Sequence, residues 1–235
     1  MSLLKGTRIT WLGHSTVLVQ TARDTNILID PFIKENLKYP RDFELPAKID
    51  AILVTHGHGD HSADVAPVAA THDSPVVAVF ELATYFAGKG VGKTMGMNLG
   101  GTVQIGEVAV TMVEAKHSSS VQDEQGTHCA GVAAGYVLTI DGGPVLYHAG
   151  DTSVFGDMKL IGELYRPQVA MLPIGGNYTM GCREAALAAS LLESNTILPI
   201  HFGTFPEICG GSAEKLATQI GSGAEVVRRS PGEAI

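Results

Sequence analysis

Between positions 51 and 62 the chain reads AILVTHGHGDHS. His56, His58, Asp60 and His61 follow directly on an apolar, strand-like run, with only glycines between them. Four lone-pair donors packed this tightly point to a metal ion. Imidazole and carboxylate together suit Zn²⁺ or Mn²⁺ first, with Fe²⁺ or Ni²⁺ after them. Other candidate groups lie just past further strand-like runs: Asp30 in LIDPF, His117 in EAKHSSS, Asp151 in YHAGDTS and His201 in LPIHFGTF.

The ligand count suggests two ions. His56 and His58 are two apart, so in an extended turn they point the same way, and His117 makes a third nitrogen for one ion. Asp60, His61 and His201 form a second set, and Asp151 can bridge both. Three ligands for each ion plus a shared carboxylate leave room for a bridging water. Structural zinc sites are usually closed by four ligands and favour cysteine, whereas catalytic sites keep a position open. No cysteine takes part here. Gly57 and Gly59 are expected to let the ligand loop turn sharply without Cβ clashes. A lone histidine at a strand end is more often structural, but the H-x-H-x-D-H pattern with distant strand-end partners is hard to explain that way.

Other residues have weaker signals. His14, in WLGHS, is expected to face the site and touch substrate. So are Asn177, Tyr178 and Thr179, which follow a glycine pair. His148, three residues before Asp151, is expected to support the site rather than react. Ser118, Ser119 and Ser120 show no base–acid pair that would make a serine nucleophile.

The elements that must position these groups are short strands in two clusters. TRITWLG, STVLVQT, TNILIDP, AILVT and VVAVF read as strands in the first part. Helices are expected from Ser62 to about Ala70 and over FELATYFAGK, followed by a loop over 89–101. The second part gives strands at GTVQIG, VAVTMVEA, GVAAGYVLTI, PVLYHAG, QVAMLPI, TILPI and AEVVRR. Helical periodicity covers DMKLIGELY, CREAALAASLLES and AEKLATQI. Clustered strands interrupted by helices predict an α/β fold, sheets with helices on their outer faces, formed as a single domain over 1–235.

Composition narrows the function class. The 235 residues are 45% hydrophobic and 17% charged, enough for a sizeable core and too few charges for a long disordered part. A net charge of −8 disfavours a nucleic-acid partner but not a small anionic substrate in a local pocket. No run approaches the ~20 apolar residues of a membrane span. The N-terminus does not resemble a signal peptide. Cys129, Cys182 and Cys209 lack metal or disulfide spacing and are expected to be free thiols in a reducing cytoplasm.

The H-x-H-x-D-H motif, followed in order by His117, Asp151 and His201, resembles the metallo-β-lactamase superfamily. WLGHSTVLV, LIDPF, AKHSSS, YHAGDTSVFGDMKLIGELY, PIGGNYTMG and PIHFGTFP extend the likeness over nearly the whole chain. They are similar to one branch, the metal-dependent hydrolases near the L-ascorbate-6-phosphate lactonases and the N-acyl-phosphatidylethanolamine phospholipase D type. The resemblance implies an αββα sandwich, two mixed sheets flanked by helices, with a binuclear centre at one edge. It assigns His56, His58 and His117 to one ion and Asp60, His61 and His201 to the other, with Asp151 shared and Asp30 orienting the ligand loop. The resemblance implies no substrate; the complete ligand set is what points to hydrolysis of a small ester, lactone or phosphodiester through a metal-bound hydroxide, with Asp60 and Asp151 catalytic. Likeness to the lactonases implies a homo-oligomer. The rival readings are an iron-dependent redox enzyme of the same superfamily, whose diiron flavoproteins carry glutamate where this chain has His58, and a non-enzymatic metal-binding module.

Overall fold

The apolar runs pair into two large sheets. In the computed structural model, which describes residues 4–235, the first sheet takes its strands in chain order: β1 (Arg8–Trp11), β2 (Val17–Gln20), β3 (Asn26–Ile29), β4 (Ala51–Leu53), β5 (Val76–Val79) and β6 (Thr94–Met97). Its first two junctions are antiparallel and the other three parallel. Helices α1 (Gly59–Ser62) and α2 (Val65–His72) connect β4 to β5, and α3 (Phe80–Gly88) connects β5 to β6.

The second sheet begins with β7 (Thr102–Ile105) and β8 (Val108–Glu114). A separate hairpin, β9 (Ser120–Asp123) and β10 (Gly126–Cys129), then interrupts it. It resumes with β11 (Ala134–Ile140), β12 (Val145–His148), β13 (Val169–Pro173), β14 (Thr196–Ile200) and β15 (Glu225–Val226). The spatial order is β15-β14-β13-β12-β11-β8-β7, parallel from β15 to β12 and antiparallel beyond. Helix α4 (Met158–Tyr165) follows β12, α5 (Cys182–Leu192) follows β13 and α6 (Ala213–Ile220) follows β14.

Strand alternation builds the layers. In the second sheet Met112, Tyr136, Leu138, Met171 and Leu198 join the core shared with the first sheet. Their neighbours Val113, Val137, Ala170, Leu172 and Ile197 face the other way, into a core closed by Met158, Ile161, Ala185, Ala188 and Leu216 of α4, α5 and α6. On the far side Val65, Val68, Leu82 and Phe86 of α2 and α3 cover the first sheet. The result is the expected helix–sheet–sheet–helix sandwich of mixed sheets. Among the described residues no helix is long and apolar enough to cross a membrane.

Four expectations change. The helix from Ser62 to Ala70 is two helices, because the ligand loop itself coils: His61 and Ser62 donate their backbone N–H groups to His58 O, and Ser62 Oγ donates to Gly57 O instead of capping. Asp64, between the two helices, turns its carboxylate to the N–H groups of Ile33 and Lys34. The expected 89–101 loop contains β6, paired to β5 with Gly96 under Phe80. The β9–β10 hairpin has no sequence signal, since its mostly solvent-facing side chains show no apolar alternation. AEVVRR is strand only at Glu225–Val226, the two residues that find partners on β14.

Tyr136 ties the sheets together beneath the ligand loop. Its buried hydroxyl lies 2.9 Å from Val54 O, just past β4, and 3.2 Å from Val77 O, within β5. Tyr136→Phe should lower unfolding free energy by about 1–2 kcal/mol, read from urea denaturation. An unchanged urea midpoint would show that the bond contributes nothing net.

Candidate metal centre

Parallel strands bring their carboxyl ends to one edge, where α/β sheets place ligands. Asp30 follows β3 and His56 lies three residues past β4, in the first sheet. Asp151 follows β12 and His201 follows β14, in the second. His117 comes from the end of β8. The donors converge as groups whose ligand atoms lie within 4.8 Å of one another: His56, His58 and His117; His56, His61 and Asp151; and Asp60, His61 and His201 together with His14. Asp151 is central, with Oδ2 3.1 Å from His201 Nε2, 3.7 Å from His117 Nε2 and 4.0 Å from His56 Nε2.

The residues fit metal ions. His61 Nε2, Asp151 Oδ1 and His201 Nε2 are buried and have no hydrogen-bond partner. His61 Nε2 is only 3.3 Å from Asp151 Oδ1, yet the atoms are not aligned for a bond, so they face a common space. Buried polar atoms are costly when unpaired. Converging partnerless imidazole and carboxylate atoms are the donor set a divalent cation satisfies.

Asp30 is hydrogen-bonded beneath this set. It is fully buried and accepts from Thr55 N at 2.8 Å and Thr55 Oγ1 at 2.7 Å, with His61 Nδ1 2.8 Å from its Oδ2. Because the Thr55 hydroxyl proton goes to Asp30, its oxygen accepts from His56 Nδ1 at 3.0 Å. Asp30 thereby fixes two imidazoles with their Nε2 atoms toward the centre. His148 acts one step further out: Nε2 reaches Ser15 O and Nδ1 accepts Gly150 N, which shapes the turn into Asp151. Sequence reasoning missed Thr55 and Cys209, whose Sγ lies 3.9 Å from His201 Nδ1.

The residues expected to touch substrate divide. Asn177 and Tyr178 are exposed, Tyr178 at 64%. Thr179 is buried, its hydroxyl turned to Met180 O. His14 is fully buried and lies against Asp60, with Nε2 3.0 Å from Oδ2, rather than facing an open cleft.

Charge is unevenly distributed. Burial opposes a charge on His201, but Asp151 outweighs it and raises the ring from 6.5 to about 10. His61 is pushed well up in the same way, by Asp151 and then Asp30 against its burial. Burial lowers His56, His58 and His117, and takes His14 down to about 4. Asp60 and Asp151 stay ionised: burial opposes their charge, but the His14 hydrogen bond holds Asp60 low, and His61 and His201 hold Asp151 low.

The glycines act differently from expectation. Neither Gly57 nor Gly59 has a positive φ. Gly57 is needed for close approach: a Cβ there would meet Ser120 O at 2.7 Å, Val121 Cγ1 at 2.8 Å and Ala130 Cβ at 2.9 Å. A Cβ at Gly59 meets nothing within 4 Å.

Residues 8–201 match the family model described as Beta-lactamase superfamily domain. A UPF0173 metal-dependent hydrolase from Koribacter versatilis is 48% identical over 211 residues, covering 90% of this chain and 91% of its own. One from Rubrobacter xylanophilus is 46% identical over 236 residues, covering 99% and 98%. Among solved structures, a novel metallo hydrolase from the hyperthermophilic archaeon Ignicoccus hospitalis superposes with a TM-score of 0.84 at 32% identity, over 97% of each chain.

Two predictions follow from the geometry. Gly57→Ala should cost about 1–3 kcal/mol of stability by overpacking, whereas Gly59→Ala should be neutral or slightly stabilising, both measured by thermal and urea unfolding. Equal effects would contradict the packing of β9 on the ligand loop. The second concerns pH. In chelator-treated protein His201 has a folded pKa above its ordinary 6.5. Its stabilisation is therefore complete below that value and lost as pH rises towards about 10. Metal binding should release protons across this window and tighten with pH, seen by calorimetry in buffers of different ionisation enthalpy. Binding without proton release would contradict the charge assignment.

Proposed function

The chain belongs to the metallo-β-lactamase superfamily, in the UPF0173 metal-dependent hydrolase family, and on that premise we propose that it is a binuclear hydrolase of a small ester, lactone or phosphodiester. The observation that carries this reading is the convergence of seven candidate ligand residues, Asp151 among them, in overlapping groups with partnerless atoms facing inward. His56, His58 and His117 would hold one ion, Asp60, His61 and His201 the other, and Asp151 both. Zn²⁺ or Mn²⁺ suits this donor set. Bound ions would bring the pKa of a coordinated water near neutrality and polarise the group under attack.

The chain's own residues supply the rest. Asp60 is the ligand carboxylate nearest solvent, with 33% of its side chain exposed, and it stays ionised, so it can accept a hydrogen bond from an incoming water and orient it. Asp151, almost fully buried, fixes the histidines around a common anion. Asn177 and Tyr178 project from the loop after β13 and would bind the polar part of the substrate. The lactone option is an expectation drawn from the motif resemblance to sugar-phosphate lactonases. Three cysteines, all unpaired, fit a reducing cytoplasm.

Metal-stripped, Mn²⁺-loaded and Zn²⁺-loaded protein should be compared on bis(p-nitrophenyl) phosphate and on phosphorylated lactones. Metal-dependent turnover is expected on at least one class. Asp60→Ala should reduce kcat/KM by more than the roughly 100-fold that loss of an outer hydrogen-bond partner can cost. Asn177→Ala should raise KM about tenfold with little change in kcat, the signature of uniform binding. Oxygen consumption by iron-loaded protein supplied with a persulfide, with no hydrolysis on any substrate, would replace this reading with the redox one.

A further inference from the structure

His14 has an unusual environment for a residue between two strands. It sits in the β1–β2 turn at φ 54°, a left-handed conformation uncommon for histidine. Its carbonyl accepts from His201 N at 2.7 Å and from Trp11 Nε1 at 2.8 Å, so the first-sheet turn is bonded directly to the second-sheet ligand. Its ring lies 3.9 Å from the His201 ring, and Nε2 is 3.0 Å from Asp60 Oδ2. That Asp60 oxygen is also 3.8 Å from His201 Nε2.

Among the fully enclosed rings, the far nitrogens separate ligand from support; His58 and His117 are only part-buried. A metal-bound histidine normally gives its second N–H to an acceptor. His56 Nδ1 has Thr55, His61 Nδ1 has Asp30 and His201 Nδ1 has Cys209. His14 Nδ1 is buried with no partner. Were Nε2 a ligand, the proton would sit on Nδ1 as a buried, unsatisfied donor. With the proton on Nε2 it is used, in the bond to Asp60. The strained turn is also held from both sheets, and backbone strain persists where the surroundings over-determine it.

We propose that His14 is a positioning residue: its Nε2–H holds the Asp60 carboxylate on the His61–His201 side of the centre, so that this half retains its ion. The inference rests on the two-ion reading. It assigns His14 a role distinct from both substrate contact and metal ligation.

The test counts metal by equilibrium dialysis and elemental analysis. Wild-type protein should take up two Mn²⁺ or Zn²⁺ per chain; a single ion would overturn the two-ion reading, and this proposal with it, before any substitution is made. His14→Leu should keep the ion of the His56–His58–His117 half and bind the second about 10–100-fold more weakly. His14→Gln, whose amide can still donate to Asp60, should recover most of that loss. Equal occupancy in His14→Leu, or no advantage of glutamine over leucine, would overturn the positioning role alone. ¹¹³Cd loading of ¹⁵N-labelled wild-type protein gives an independent readout even if a variant fails to fold. Cadmium–nitrogen coupling is expected at His56, His58, His61, His117 and His201. Coupling at His14 would make it a ligand and refute the proposal.

Discussion

Asp30 accepts three hydrogen bonds in a place with no solvent, and the ligand loop hangs from them. Two come from Thr55 and one from His61. The first two set the chain direction immediately before His56, and the third sets the ring of His61. A carboxylate with no exposed surface is costly unless every oxygen is used. The surrounding apolar strands therefore force the pairing as well as permit it. Without Asp30, His56 would lose the chain of bonds that directs its Nδ1–H to Thr55 Oγ1. Asp30 also adopts φ 48°, a strained conformation that the fixed ends of β3 and the ligand loop impose.

The same constraint recurs on the other side of the centre. His201 and His14 also have positive φ, and the backbone bond between them joins loops from different sheets. Sheet packing supplies the rigidity that such loops lack alone. Tyr136 fastens the sheets directly below the centre, and the shared core of Ile52, Leu53, Val77, Met112 and Leu138 fills the space behind. Placing reactive groups on rigid strand ends keeps imidazoles with opposing charge preferences within a few ångströms of one another.

This closeness sets the electrostatics. Asp151, lying between them, raises the proton affinity of two buried histidines, while burial lowers that of three others. Divalent ions would take over the role of protons there, so metal uptake would depend on pH. The β9–β10 hairpin closes the other flank, against Gly57. Its Asp123 binds Lys89 of the α3 end at 2.8 Å and His128 at 2.9 Å, so the hairpin that follows His117 is anchored to the first-sheet side.

The cluster of donor residues was legible in the sequence because metal chemistry restricts residue type and because the donors fall at strand ends, where apolar runs stop. The alternating runs likewise fixed most strands, and the periodicity of α4, α5 and α6 fixed those helices. Other features depend on contacts between distant segments. Gly57 reads as a turn residue, and only the packing of Ser120, Val121 and Ala130 shows that it is a contact point. The hairpin has no apolar signature because its strands are largely solvated. For His14, the local sequence says nothing about burial in a turn. Its fully enclosed place beside Asp60 and His201 was decided by the docking of one sheet on the other, because that contact joins residues 46 and 187 positions apart in the chain.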